Sequence, residues 1–315
     1  MKKRAFICFF ALAIFFKFTY CYDTKKFTLN MPNMKPSTTE SFLCAPFKVD
    51  SARNYYVTGF DMNSTARSHH MTIYGCTKPG SSKSVWECGQ QFYDNPGVDT
   101  PPCAEGPQIM YGWAEDYFGL PEGVGFKIGG DSPVQYIVLQ VHYSDPKVFK
   151  MNDRTDTDVH LYYTTQRMDK QAGVIVLASG GSIPAGRTTY LESACSIKEY
   201  KTIHPFAYAT HTHSLGTATS GYVVKPNNNW IELGKKDPQE RKTFLPVTYK
   251  TSITYGDTLV GRCTMKSTRD RTTYVGKTEQ DEMCRYYIMY YVDEGTPLNQ
   301  KICYTPDAVY YSKEE

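Results

Sequence analysis

The chain is predicted to be all-β, a sandwich or barrel, divided between two domains. Three observations carry that expectation. Short apolar or alternating runs recur at 55–60, 71–74, 136–143, 159–163, 173–177, 206–212, 220–224 and 286–292, with Pro, Gly, Asn and Asp between them. Long stretches of helical period are absent. Eight cysteines, Cys44, Cys76, Cys88, Cys103, Cys195, Cys263, Cys284 and Cys303, split into four early and four late. With 315 residues there is enough chain for two ordinary domains.

Taken in order, the chain starts as a secretory leader. Lys2, Lys3 and Arg4 precede an apolar stretch at 5–16 that is too short to span a bilayer. Small residues at Thr19 and Cys21 place the cut after Cys21, so 1–21 is a signal peptide. No later stretch reaches the length of a membrane span and no C-terminal anchor signal is present, so the mature chain is expected to be soluble and secreted. Removing the leader takes Cys8 and Cys21 with it and leaves the eight cysteines above, an even number suited to disulfides in an oxidising compartment. Eight cysteines allow 105 pairings, and spacing alone does not choose among them. Asn63-Ser64-Thr65 is a glycosylation acceptor. A net charge of +3 with no Lys/Arg-rich run argues against nucleic acid as a partner.

The break between strand runs at 164–171 is the expected boundary, giving domains at 22–166 and 167–315. It separates the informative histidines. His69, His70 and His142 fall in the first half, His211 and His213 in the second. Imidazole is the commonest ligand for transition metals, so an adjacent pair, a single and an i, i+2 pair point to two metal sites. On a strand, residues i and i+2 face the same way, which lets His211 and His213 share one ion. In 136–143 the face with Ile137, Leu139, Val141 and Tyr143 is the better core face, so His142 is expected to leave the core and meet something polar. His160 and His204 lack a ligand-spaced neighbour and read as structural.

One more segment specifies the metal. If 281–292 is a strand, Met283, Arg285, Tyr287, Met289 and Tyr291 share a face, while Cys284, Tyr286, Ile288, Tyr290 and Val292 share the other. Methionine fills core gaps in most proteins. Here its thioether, a soft ligand that suits Cu(I), would complete a redox-active copper site with His211 and His213. The chain has no helical His-Glu-x-x-His motif, which argues against a zinc hydrolase.

These residues resemble the peptidylglycine α-hydroxylating monooxygenase family of copper type II, ascorbate-dependent enzymes. The matching stretches are Ser68-His-His-Met-Thr-Ile-Tyr-Gly-Cys76, Leu120-Pro-Glu-Gly-Val-Gly-Phe-Lys-Ile-Gly-Gly130 and Val138-Leu-Gln-Val-His-Tyr143, then Phe206-Ala-Tyr-Ala-Thr-His-Thr-His-Ser-Leu-Gly216, Gly256-Asp257 before Cys263, and Asp281-Glu-Met-Cys-Arg-Tyr-Tyr-Ile-Met-Tyr-Tyr291. They follow the family order across nearly the whole mature chain. The resemblance implies two disulfide-stapled antiparallel β-sandwich domains, jelly-roll-like, each with one copper facing a solvent-filled cleft. His69, His70 and His142 would hold the electron-supplying copper. His211, His213 and Met283 would hold the copper where dioxygen and substrate meet. It further implies ascorbate as reductant, hydroxylation at the α-carbon of C-terminal glycine in peptides, a separate lyase that completes amidation, and work in the secretory vesicle lumen or outside the cell. The implied disulfides are Cys44–Cys88, Cys76–Cys103, Cys195–Cys303 and Cys263–Cys284.

One departure bears on substrate. The family carries an arginine two residues before His-x-His that grips the substrate carboxylate, and here that position is Ala209. The family's asparagine after Met-Cys is here Arg285. A guanidinium holds a carboxylate bidentately, so Arg285 is the expected replacement clamp, with Tyr287 as a second donor. The loss at Ala209 also leaves open a related enzyme acting on phenethylamines. The reading from another class is a secreted copper-binding protein without catalysis.

Overall fold

A computed structural model describes residues 23–32, 36, 41–63, 70–89, 100–112, 117–143, 158–240, 243–276 and 278–306. The leader at 1–21, His69 and the side chain of Asn63 lie outside the described residues. The described residues contain strands and turns but no α-helix, and so no helix long and apolar enough to cross a membrane.

The largest sheet follows the order β1 (Lys25–Asn30), β12 (Asp158–Thr164), β3 (Asn54–Asn63), β10 (Val124–Gly129), β13 (Lys170–Ser179), β22 (Cys284–Val292), β16 (His204–Thr212) and β19 (Leu245–Pro246). Off this path, β9 (Phe118–Gly119) pairs with β3 and β23 (Ile302–Thr305) pairs with β13. A second sheet has the order β6 (Trp86–Glu87), β2 (Ser41–Lys48), β11 (Tyr136–Tyr143), β4 (His70–Cys76) and β8 (Gln108–Gly112). A third runs β15 (Thr188–Ser196), β20 (Thr258–Lys266), β17 (Gly216–Val224) and β18 (Trp230–Lys236). Two short ribbons complete the set, β5 (Lys78–Pro79) with β7 (Cys103–Glu105) and β14 (Ser182–Ile183) with β21 (Thr273–Tyr274).

The all-β expectation is met, and the ladders are antiparallel with two exceptions. β10 and β13 pair in parallel through Val124–Lys170 and Gly125–Gln171, and β13 and β23 pair in parallel from Val176–Ile302 to Ser179–Thr305. The first of these carries the largest sheet across residues 165–169, the link between the halves.

The halves also share a core. Phe60 of β3 stacks on Tyr111 of β8 at 4.6 Å, closing the first sandwich. The same apolar cluster runs on into Val174, Val176, Ala207, Ala209, Phe244, Tyr287 and Met289 of the second half. Tyr111 stacks on Phe244 at 5.4 Å across that junction. A separate cluster, with Ile175, Leu177, Tyr208, Val223, Leu259, Tyr286, Ile288 and Tyr290, lies between the β13–β22–β16 strands and the third sheet. Thus β22 is covered on both faces, which is why it reads as a nearly continuous apolar run. Its parity matches the sequence expectation: Tyr287 and Met289 face the shared core, Tyr286, Ile288 and Tyr290 the other.

Four disulfides staple the fold with the pairing that the resemblance implies: Cys44–Cys88, Cys76–Cys103, Cys195–Cys303 and Cys263–Cys284. The third sheet meets β22 and β16 through tyrosines laid on glycines. A Cβ added at Gly221 would lie 2.2 Å from the Tyr286 ring, and one at Gly234 would lie 2.1 Å from that of Tyr208. Those two rings stack at 5.4 Å and 3°, and the Tyr286 hydroxyl donates to the Gly234 carbonyl at 3.1 Å.

Overpacking follows if either glycine gains a side chain. Gly221→Ala should destabilise the fold by about 1–3 kcal/mol, because Tyr286 is caged by β13 and β16 and has little room to retreat. Thermal or urea unfolding with disulfides intact measures this, and an unchanged midpoint would show that the sheets can move apart without cost.

Candidate metal centre

Two strand pairs carry the candidate ligands to one place. β4 and β11 lie in antiparallel register with His70 opposite His142. Their Nδ1 atoms are 3.4 Å apart and their ring centroids 4.7 Å apart. In the second half, β16 and β22 pair with His211 opposite Arg285 and Ala209 opposite Tyr287. β16 ends at Thr212 and His213 follows in a turn, with its ring centroid 5.4 Å from that of His211.

The two sets meet. The His70 and His211 rings are 5.9 Å apart, and a cavity of about 10 Å³ lies between the halves. Among the described residues its walls are Phe42, His70, Thr72, Tyr74, Gln140, His211, Met283 and Arg285. Such a volume holds about one water. The resemblance implies a cleft between two facing sites here, and in this structure the two histidine sets do face each other across this cavity.

The expectation for His142 is met in part. Its side chain does point at something polar, with Nδ1 3.4 Å from that of His70. It stays in the interior nonetheless, 3% exposed and with its ring stacked flat on Phe42 at 4.1 Å. The physical reason is tertiary. The β11 face with Gln140 and His142 is the less apolar one, but the second half covers it.

In the second set, His211 and Met283 are 3% and 2% exposed, while His213 is half-buried. His213 Nδ1 lies 3.0 Å from the Asp281 carbonyl, which can only accept. Nδ1 is therefore the protonated nitrogen and Nε2 keeps the lone pair that a metal needs. The Arg285 guanidinium donates from Nη1 to the Tyr287 hydroxyl at 3.4 Å. Tyr74 has its hydroxyl pKa pushed up by burial, partly offset by the positive charge of Arg285. His160 and His204 stay outside the cavity. His160 pairs with the Thr28 hydroxyl at 2.9 Å, and His204 with Asp293 at 2.9 Å.

Strand parity alone would have added three residues to the site. Thr72 and Tyr74 share a face with His70, and Gln140 shares one with His142. Phe42 and Glu282 had no such signal: Phe42 arrives by register opposite His142, and Glu282 by burial beside the turn after His213.

The donor chemistry fits copper. No three His, Cys, Asp or Glu side chains stand at metal-binding spacing among the described residues. The expected sets are not of that kind, because His69 lies outside the described residues and the donor expected beside His211 and His213 is the Met283 thioether, which lines the cavity with His211. Imidazole with thioether is a soft set that accommodates Cu(I) and is a poor set for zinc, magnesium or calcium.

Comparison with known proteins points the same way. Residues 27–150 match the copper type II ascorbate-dependent monooxygenase N-terminal domain, and residues 170–315 match its C-terminal domain. Peptidyl-glycine alpha-amidating monooxygenase A of Xenopus laevis is 34% identical over 280 residues, covering 87% of this chain and 29% of that protein. Peptidylglycine alpha-amidating monooxygenase of Rattus norvegicus is 32% identical over 289 residues, covering 89% of this chain and 28% of the relative. Dopamine beta-hydroxylase of Canis lupus familiaris is more distant, 26% identical over 241 residues, covering 71% and 37%. The chain thus spans less than a third of the length of the amidating relatives it matches. With both domain models matched in order over most of its length, the chain belongs to the copper type II ascorbate-dependent monooxygenase family.

Proposed function

We propose that this chain hydroxylates the α-carbon of C-terminal glycine in peptides, the first step of C-terminal amidation, with two coppers, ascorbate and dioxygen. The observation that carries the reading is the convergence of His70, His211, Met283 and Arg285 on one cavity between the halves. Identity of 32–34% to the amidating relatives supports the substrate class. His69, His70 and His142 would hold the first copper, and His211, His213 and Met283 the second. Bound copper would supply the one-electron changes by which ascorbate and dioxygen put one oxygen atom into the glycine C–H bond and release the other as water. The hydroxyglycine product would then pass to a lyase. Four disulfides support a place in the secretory pathway, in a vesicle lumen or outside the cell.

The protein's own groups have three tasks. Arg285, opposite His211 and bonded to Tyr287, binds the substrate carboxylate in place of the arginine absent at Ala209. The Asp281 carbonyl keeps His213 in the tautomer that leaves Nε2 free to bind. Apolar packing around Phe42, Tyr111 and Phe244 excludes water when the halves are closed.

Metal analysis of the wild type should give two coppers per chain, and Met283→Ile should bring this towards one with loss of turnover. A wild-type stoichiometry near zero would sink the copper reading. Arg285→Ala should raise KM for a glycine-extended peptide by about 10–100-fold, the worth of a charge-assisted pair, while copper content stays at two. An unchanged KM would remove Arg285 from substrate binding. Turnover of tyramine in preference to the glycine-extended peptide would instead favour the phenethylamine reading, and no substrate-dependent oxygen uptake with ascorbate would favour a copper carrier.

A further inference from the structure

We infer that Glu282 is the positioning residue of the second metal site, holding His213 and Met283 at the spacing that one copper requires. The inference rests on the reading of His211, His213 and Met283 as a single site. Glu282 is fully buried, at 0% exposure. Its Oε2 accepts from the backbone N–H of His213 at 3.0 Å and from that of Met283 at 3.2 Å. Its Oε1 accepts from the N–H of Leu215 at 2.8 Å. One carboxylate therefore ties the turn that carries one ligand to the strand entry that carries another, across 69 positions of sequence.

Burial of a carboxylate is costly, and desolvation pushes the Glu282 pKa up against the lowering effect of these N–H bonds and of His213. An apolar side chain would fill the same space without that cost, but it would leave three backbone donors unsatisfied. The neighbours of Glu282 act on the same two ligands. The Asp281 carbonyl receives His213 Nδ1, and Cys284 is bonded to Cys263 of β20, which anchors the far side of Met283. On the turn itself, Gln239 Nε2 donates to the His213 carbonyl at 2.7 Å and to that of Gly216 at 2.9 Å. Among the described side chains, Glu282 is one that accepts hydrogen bonds from the backbones of both ligand-bearing segments, while Arg269 bridges the same region from outside by donating to the Gln280 carbonyl and to Ser214 Oγ.

Glu282→Gln keeps the shape but sets an amide N–H₂ against backbone N–H donors, so His213 and Met283 lose their common acceptor or Leu215 loses its own. Copper titration of the reduced protein, with X-ray absorption to detect sulfur among the ligands, tests the inference. The expected result is that the second copper binds about 10–100-fold more weakly and loses its sulfur neighbour, while the first copper binds as in wild type. Should Glu282→Gln not fold, Glu282→Asp, which keeps the charge but shortens the reach by one methylene, is measured in the same way with the same expected result. The inference is overturned if both coppers bind with wild-type affinity and the sulfur signal persists. It is equally overturned if both sites weaken together in step with thermal stability, the signature of a merely structural role. A Met283→Ile variant that retains two coppers would instead reject the site assignment, whatever Glu282 does.

Discussion

Burial of β22 on both faces is the constraint on which the rest of the molecule depends. A strand exposed on one side could tolerate polar alternation, but this one is held between the third sheet and the shared core. Of its even-numbered residues, Tyr286 packs on Gly221 and Gly261 of the third sheet, and Tyr286, Ile288 and Tyr290 share an apolar cluster with Val223, Leu233 and Leu259 of that sheet. Its odd-numbered residues, Arg285, Tyr287 and Met289, face the first half, as does Met283 just before the strand. Period two then has a functional consequence: the face that closes the two halves together is the same face that carries a thioether and a guanidinium. Packing and chemistry cannot be changed independently there, since a one-residue slip would bury Arg285 against Gly221 and turn Met283 away from His211.

The site is built as an interface. Neither half gathers the cavity alone: Phe42, His70, Thr72, Tyr74 and Gln140 come from the first, and His211, Met283 and Arg285 from the second. The walls other than Met283 lie on strands, so each of those side chains is aimed by a ladder of backbone hydrogen bonds. Met283 sits just before β22, and the turn at His213 lies past the end of β16. Its support comes from side chains instead, Glu282 on one side and Gln239 on the other.

Much of this was legible in the sequence. The all-β class followed from short runs between turn residues, and the faces of β22 from strict alternation. The same rule does not reach His213, which falls past the end of β16 at Thr212, although its ring still comes within 5.4 Å of that of His211. Spacing alone did not choose among the cysteine pairings, and the resemblance supplied the pairs that the structure contains. Where reading by periodicity failed, the cause was a contact between distant segments. His142 lay on the less apolar face of its strand and was expected to leave the core; it does meet a polar partner, His70, but inside the molecule. A second layer, absent from any local window, made that face interior.

The sequence by itself determined which residues share a face and which donors the chain can offer a metal, because strand periodicity and side-chain chemistry are local properties. Only the tertiary structure decided that the two histidine sets stand with rings 5.9 Å apart across a closed junction. It alone revealed that Glu282 spans two ligand-bearing segments, since a buried acid and an exposed one look the same in a sequence. Register between strands far apart in the chain, and the closing of one half upon the other, are set by the summed burial of the whole core, and no window of sequence contains that sum.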